Sequence, residues 1–216
     1  MSLRELFEAA VVELRRRRIA FALAGGLAAD LYRAEPRLTM DVDLALATAR
    51  QEDAARTGSE ILRGLGLEAG VLRGGPLFAI KSRRTKPVML VGRVKGGKDE
   101  PGLDLLLPSL PWTGTAIVRA EGNLVDFGFG PVPVLRLEDV IVSKLYALQG
   151  SEVRAKDLDD LQSIYAAGHV VDRAYLAGRI GEFGLRVPAS VKVLVPEELR
   201  KLCGGRGRGS EGVGGV

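Results

Sequence analysis

The sequence has a single cysteine, Cys203, and a single histidine, His169, among its 216 residues. One cysteine allows neither an internal disulfide nor a cysteine-based zinc finger. One histidine excludes a multi-histidine zinc site, and any Ser-His-Asp triad would have to pass through that residue. Aromatic residues are scarce at 5%, with Trp112 the one tryptophan. Trp112 lies between Pro111 and Thr113 and reads as a packing anchor rather than a base-stacking platform. No apolar run approaches the roughly 20 residues that cross a bilayer. The first 18 residues mix charges with apolar positions and lack the unbroken apolar core of a secretion signal. A cytoplasmic protein with no membrane partner is expected. Acid–base or metal chemistry must rest on carboxylates and lysines.

Hydrophobic residues make up 46% and charged residues 27%, the balance of an ordinary globular chain. Basic residues outnumber acidic ones by 31 to 27, for a net charge of +4. That balance permits a nucleotide or nucleic-acid partner without demanding one. Glycine is plentiful at 28 residues, which points to tight turns and close backbone approaches.

Residues 2–18 carry apolar positions at helical spacing, and the arginines at 15–18 then complement the negative end of the helix. Residues 19–24 form a short apolar run that stops at Gly25-Gly26, and residues 27–33 look helical, giving strand, glycine turn, helix. Period-two alternation over 38–46 predicts a strand, residues 51–65 a helix, and 77–81, 88–94 and 102–107 further strands. Residues 115–135 read as β-rich. Helical patterns follow at 137–149, 152–167, 172–182 and 196–202. Residues 204–216, GGRGRGSEGVGGV, bury too little to order themselves and are expected to be a flexible tail. The expected organisation is an α/β (α+β) core over 1–136, a mixed sheet with flanking helices. A helical C-terminal region over 137–203 and the tail follow it.

Asp41 and Asp43 are the most informative pair. Residues i and i+2 of a strand face the same side, so their carboxylates lie together. Two like charges on one face repel unless a cation lies between them, and a hard divalent ion takes carboxylate oxygens. The competing reading is a solvated Asp-x-Asp strand face. Asp104 is the one polar side chain in the run 102–107, and burying it demands a partner. Three aspartates on neighbouring strands would hold two divalent ions for in-line attack at phosphorus; alternatively, Asp104 receives an arginine or a backbone cap. Gly25-Gly26 precedes this strand, and a side-chain-free strand–helix junction lets phosphates approach backbone N–H groups. Lys144 shares an apolar helical stripe, where a lysine needs a partner. It can bind a triphosphate as a point charge, or it can pair with Asp157 or Asp160 on the next helix.

Gly25-Gly26, Arg37-Leu38-Thr39-Met40-Asp41-Val42-Asp43-Leu44, Lys144 in its helix and Lys156-Asp157-Leu158-Asp159-Asp160-Leu161 together resemble the AbiEii-type nucleotidyltransferases. That family belongs to the DNA polymerase β-like nucleotidyltransferase superfamily, and the resemblance spans roughly residues 15–165. It implies a Mg²⁺-dependent enzyme, with two ions, that uses an NTP. It also implies a toxin with a possible antitoxin partner, acting on an RNA such as tRNA. By position, Asp41 and Asp43 are then the metal pair with Asp104 as third carboxylate. Gly25, Gly26, Arg37 and Thr39 serve the nucleotide, Lys144 the triphosphate, and Asp157 is the late acidic residue. The basic residues Lys81, Arg83, Arg84 and Lys86 favour a nucleic-acid acceptor. The alternatives are nucleotidylation of a small molecule and a non-catalytic module of the same fold.

Overall fold

The structure, a computed structural model, describes residues 1–47, 51–73, 78–80, 83–85, 88–94, 100–150 and 154–204. The glycine-rich tail after residue 204 lies outside them, as do Lys81, Lys86 and the side chains of Arg83 and Arg84.

The chain opens with α1 (Leu3–Arg16), started by a capping box between Ser2 and Glu5. Leu6, Phe7, Ala10, Val11 and Leu14 are its buried stripe. The basic run at its end is engaged locally. Arg16 and Arg17 pair with Glu13 at 2.9 and 3.2 Å, and Arg15 donates to the Pro131 carbonyl. Next come β1 (Ala20–Ala24), α2 (Gly25–Asp30), β2 (Asp41–Ala47), α3 (Gln51–Gly64) and β3 (Glu68–Arg73). The short strands β4 (Phe78–Ile80) and β5 (Arg83–Thr85) form a separate hairpin. β6 (Val88–Arg93) and β7 (Gly102–Leu106) complete the main sheet.

That sheet has the order β1-β2-β7-β6-β3. Only the β2–β7 pair is parallel; the other three pairs are antiparallel. Val42, Leu44, Leu103 and Leu105 alternate with the aspartates along β2 and β7 and are fully buried, and α3 places Gly58 directly against Leu90 and Leu105. One face of the sheet is thus sealed by apolar packing. The polar positions Asp41, Asp43 and Asp104 are confined to the other face, beside α2.

The 115–135 region departs from the β-rich reading. It contains α4 (Thr113–Ala120), followed only by the three-residue strands β8 (Leu124–Asp126) and β9 (Pro131–Pro133). Thr113, Ala116, Ile117 and Ala120 are all buried, so this helical stripe outweighs the strand preference of the β-branched residues among them. The strand expected from residue 38 begins at Asp41, because residues 37–39 are held by side-chain bonds to α2 and to a C-terminal helix. β3, broken in pattern by Gly70, had no clear alternation to announce it.

The C-terminal part consists of α5 (Leu137–Ala147), α6 (Ala155–Ala166), α7 (Arg173–Phe183) and α8 (Glu197–Cys203). α5 and α6 pack on each other and on α2. Away from the aspartates, Glu138 and Asp139 of α5 are both buried. Arg119 of α4 bridges them at 2.9 and 2.5 Å and stacks 3.6 Å above the Tyr175 ring of α7, whose hydroxyl donates to Asp139 at 2.6 Å. Removing one partner of such a buried pair leaves charge uncompensated. Arg119→Ala should therefore lower the unfolding free energy by about 3–5 kcal/mol, read by urea denaturation. A loss under about 1 kcal/mol, the range of an exposed pair, would show the cluster to be incidental.

Candidate functional site

The site is set by register. Across the parallel pair, Asp43 of β2 lies opposite Asp104 of β7, and Asp41 opposite Gly102. On the other side, Ala24, the last residue of β1, pairs with Asp43. The chain then turns straight into α2 through Gly25, whose φ is +63°. A Cβ at Gly25 would fall 1.9 Å from Asp43 Oδ2. Only glycine serves there, on backbone and steric grounds alike. The Gly26 N–H favours the charged form of the Asp43 carboxylate. A Cβ at Gly26 would lie 3.0 Å from the side chains of both Arg37 and Thr39. The glycine pair thus lets the start of α2 close over β2.

Asp43 is half-buried, and desolvation of its carboxyl pushes its pKa up to about 7. The neighbouring Asp104 and Asp41 push the same way. Lys144 and the Gly26 N–H oppose them. Among the described residues no lysine or arginine forms an ion pair with Asp43. Asp43 thus lacks a contacting counter-charge among the described residues, and with Asp41 it offers the carboxylate donor set that a hard divalent ion fits.

Asp104 differs. It is buried, which raises its pKa, but Arg93 at the end of β6 binds it in a fork, with Nη1 at 2.5 Å from Oδ1 and Nη2 at 3.3 Å from Oδ2. Arg93 Nη2 also lies 3.5 Å from Asp41 Oδ1. Of the two readings of Asp104 offered by the sequence, the arginine partner is the one present. Among the described residues no three carboxylate, histidine or cysteine side chains converge as a metal-holding group.

Lys144 is buried within α5, with Nζ 2.9 Å from Asp157 Oδ1 and 2.7 Å from Asp160 Oδ2 of α6. Burial alone would lower its pKa, yet the two aspartates outweigh that and raise it. Asp160 has no exposed surface, and also receives Arg33 at 2.7 Å and Arg37 Nε at 2.8 Å. Its burial is outweighed in turn, and its carboxyl is held below the usual range by Arg37 and Lys144. Arg37 keeps Nη1 for long contacts only, 3.4 Å to the Leu38 carbonyl and 3.5 Å to Thr39 Oγ1. Thr39 donates to Asp30 Oδ2 at 3.3 Å.

Asp41, Asp43, Asp104, Gly25 and Gly26 thus lie near one another at one end of the interior strands β2 and β7. Arg37 and Thr39 close its flank against Gly26. Lys144 and Asp157 lie behind, and the Lys144 charge is felt at Asp43. Sequence reasoning missed Arg93 and Arg33. The signal for Arg93 was its place as the last residue of an apolar strand, two residues beyond the one paired with Asp104.

The family model described as "Nucleotidyl transferase AbiEii toxin, Type IV TA system" matches residues 12–198. The chain belongs to this family. Membership of the AbiEii family makes it a nucleotidyltransferase, of a family of toxins. No curated protein matches it. Three solved structures are similar to it in part. JHP933 from Helicobacter pylori is 20% identical with a TM-score of 0.40, over 84% of this chain and 72% of that one. The antibiotic-resistance factor ANT(2'')-Ia is 16% identical with a TM-score of 0.41, over 94% and 91%. An antigenic nucleotidyltransferase-like protein from Paracoccidioides brasiliensis is 18% identical with a TM-score of 0.47, over 88% and 97%. No described helix of the chain is long and apolar enough to cross a membrane.

Two outcomes follow from the charges at this AbiEii-family site. A carboxyl whose folded pKa is about 7 against an ordinary 3.8 favours the folded state below pH 3.8 and loses that contribution as pH rises through about 7. Metal-free Asp43→Asn protein should thus melt higher than the wild type near pH 8, by roughly 2–4 °C per kcal/mol recovered, with the gap closing near pH 4. An unchanged gap across that range would show Asp43 to be ionised throughout. Lys144→Ala leaves Asp157 paired with the exposed Arg154 alone among the described residues, at 3.1 Å, and should cost about 3–5 kcal/mol in urea denaturation; a loss below about 1 kcal/mol would show that Lys144 is not the structural tie between α5 and α6.

Proposed function

We propose that this chain transfers a nucleotidyl group from an NTP to a hydroxyl of an RNA, with tRNA as the acceptor. We further propose that it does so in the cytoplasm, as the toxin of a toxin–antitoxin pair. The observation that carries the reading is the Asp43 carboxylate packed against Gly25, with Asp41 on the same strand face, in a chain of the AbiEii family. The net charge of +4 agrees with a polyanionic acceptor. The family's description as a type IV toxin–antitoxin system supports an antitoxin partner.

In this reading Asp41 and Asp43 hold Mg²⁺. The bound ion supplies positive charge at the phosphoryl oxygens and favours ionisation of the acceptor hydroxyl. Gly25, partly exposed at the turn, is where the backbone meets the triphosphate, while the buried Gly26 lets Arg37 and Thr39 pack close beside it. Arg37 is anchored on Asp160 through Nε and Nη2, and its Nη1 edge is the cation for the triphosphate. Lys144 and Asp157 act from behind as positioning residues. Their pair fixes α5 against α6, and the Lys144 charge moderates the field at Asp43. The acceptor oxygen forms a bond to the α-phosphorus, and the bond from that phosphorus to the bridging oxygen breaks. Pyrophosphate departs with the electron pair, and the hydroxyl proton passes to water.

The test is to incubate the protein with Mg²⁺, each α-labelled NTP in turn and total tRNA. Label on the RNA is expected for at least one NTP, and transfer should fall to background in Asp41→Asn protein that retains its fold by circular dichroism. Wild-type transfer by that variant would remove the metal-pair reading. Label appearing on a small hydroxyl compound but not on RNA would replace the acceptor. NTP binding with no transfer to any acceptor would leave a non-catalytic module.

A further inference from the structure

Arg93 has no place in the expected two-ion arrangement, yet it occupies the centre of the carboxylate group. Its position is dictated by the sheet. Val91 of β6 pairs with Asp104 of β7, which pairs in turn with Asp43 of β2. One step along each strand pair, two residues on, the same row reads Arg93, Gly102, Asp41. The middle position has no side chain. A Cβ on Gly102 would lie 2.4 Å from Arg93 Nη1 and 2.4 Å from Asp41 Oδ1. The guanidinium therefore lies over Gly102, reaching Asp104 diagonally and Asp41 straight ahead.

Its bonds are those of a seated group. Nη1 donates to Asp104 Oδ1 at 2.5 Å and to the Gly92 carbonyl at 2.9 Å, and Nη2 donates to Asp104 Oδ2 at 3.3 Å. Both Asp104 oxygens are thus taken by one always-charged fork. The Asp104 side chain is only 9% exposed, so its charge depends on this partner. An ion on Asp104 would have to displace a bidentate, charge-assisted pair from a buried carboxylate, a far dearer exchange than displacing water. The charges also close without a second ion. One divalent cation together with the guanidinium neutralises Asp41, Asp43 and Asp104.

We propose that Arg93 is the built-in second cation of this site, so that the protein works with one divalent ion on Asp41 and Asp43. Asp104 is then a positioning residue for Arg93 rather than a metal ligand. This rests on the reading of Asp41 and Asp43 as the metal pair. The Arg93 side chain is 40% exposed, and that open side faces the solvent from which the nucleotide arrives. A tethered cation needs no second binding event before the chemistry, and it makes turnover depend on divalent-ion concentration as a single-site process.

The test counts Mn²⁺ on the full chain by the electron paramagnetic resonance signal of the free ion, with and without a non-hydrolysable NTP analogue. Wild-type protein should take up a single ion in both conditions. Asp104→Asn should bind that ion within about two-fold of wild type, whereas Arg93→Gln should gain a second ion when the analogue is present. Arg93→Lys keeps the charge and should stay at a single ion. Two ions on the wild type, one of them lost in Asp104→Asn, would overturn the proposal, as would a single ion in Arg93→Gln under every condition. Asp41→Asn separates the two levels: if it binds Mn²⁺ like the wild type, the metal-pair reading itself has failed, whatever Arg93 does.

Discussion

The arrangement of the site depends on Asp160, a carboxylate with no exposed surface that accepts from three cations on three different segments. Arg33 comes from the end of α2, Arg37 from the approach to β2, and Lys144 from α5. Each contact alone is an ordinary ion pair. Together they leave no buried charge uncompensated, and they tie the helical C-terminal part to the two segments that carry Gly26 and Asp41. A buried carboxylate tolerates such a position only if its partners stay in place, so the network favours one arrangement of these elements over looser ones. The polarity of the fold follows. Leucine rows seal one sheet face, and charge pairs fix what stands on the other.

The carboxylates near the starts of β2 and β7 are arranged on an opposite principle. Asp160 is oversupplied with cations, while Asp43 has none in direct contact among the described residues and is pushed up to about 7 by burial and by Asp104. Lys144 connects the two regions. It is spent structurally on Asp157 and Asp160, yet its field still lowers the cost of charge on Asp43. A lysine in that place does both jobs because Coulombic influence outlasts direct contact when the medium between is protein rather than water. The two sequence-level readings of Lys144, ion pair and nucleotide-site cation, are therefore not exclusive in kind.

Much of this was legible in the sequence. Asp41 and Asp43 share a face because strand side chains alternate, and that is a local rule. The same holds for the amphipathic α1, for the glycine turn after β1, and for the four C-terminal helices. What escaped were consequences of contacts far apart in the chain. Residues 113–120 carry several β-branched residues, and only the burial stripe formed against β1 and β2 makes them helical. Thr39 reads as part of the acidic strand by alternation, but its bond to Asp30 holds it outside. Arg93 could not be assigned to Asp104 without knowing that β6 runs antiparallel beside β7, since the two residues stand eleven positions apart in the chain. Asp104 itself was marked correctly as a carboxylate in need of a partner; the identity of that partner was a matter of register.

The β2–β7 pair is the one parallel ladder in the main sheet. A parallel register aligns Asp43 with Asp104 and Asp41 with Gly102 while running both strands toward the buried interior. Each strand therefore enters the sheet at its polar end and continues into apolar packing at Leu44–Leu46 and Leu105. The carboxylates are concentrated at the strand starts, where Gly25, Gly102 and Arg93 also arrive. Had the same segments paired antiparallel, Asp43 would still face Asp104, but Asp41 would stand opposite Leu106 and Gly102 opposite Ala45. Strand direction is what sets Gly102 beside Asp41, and the missing side chain at Gly102 is what lets an arginine join the aspartates.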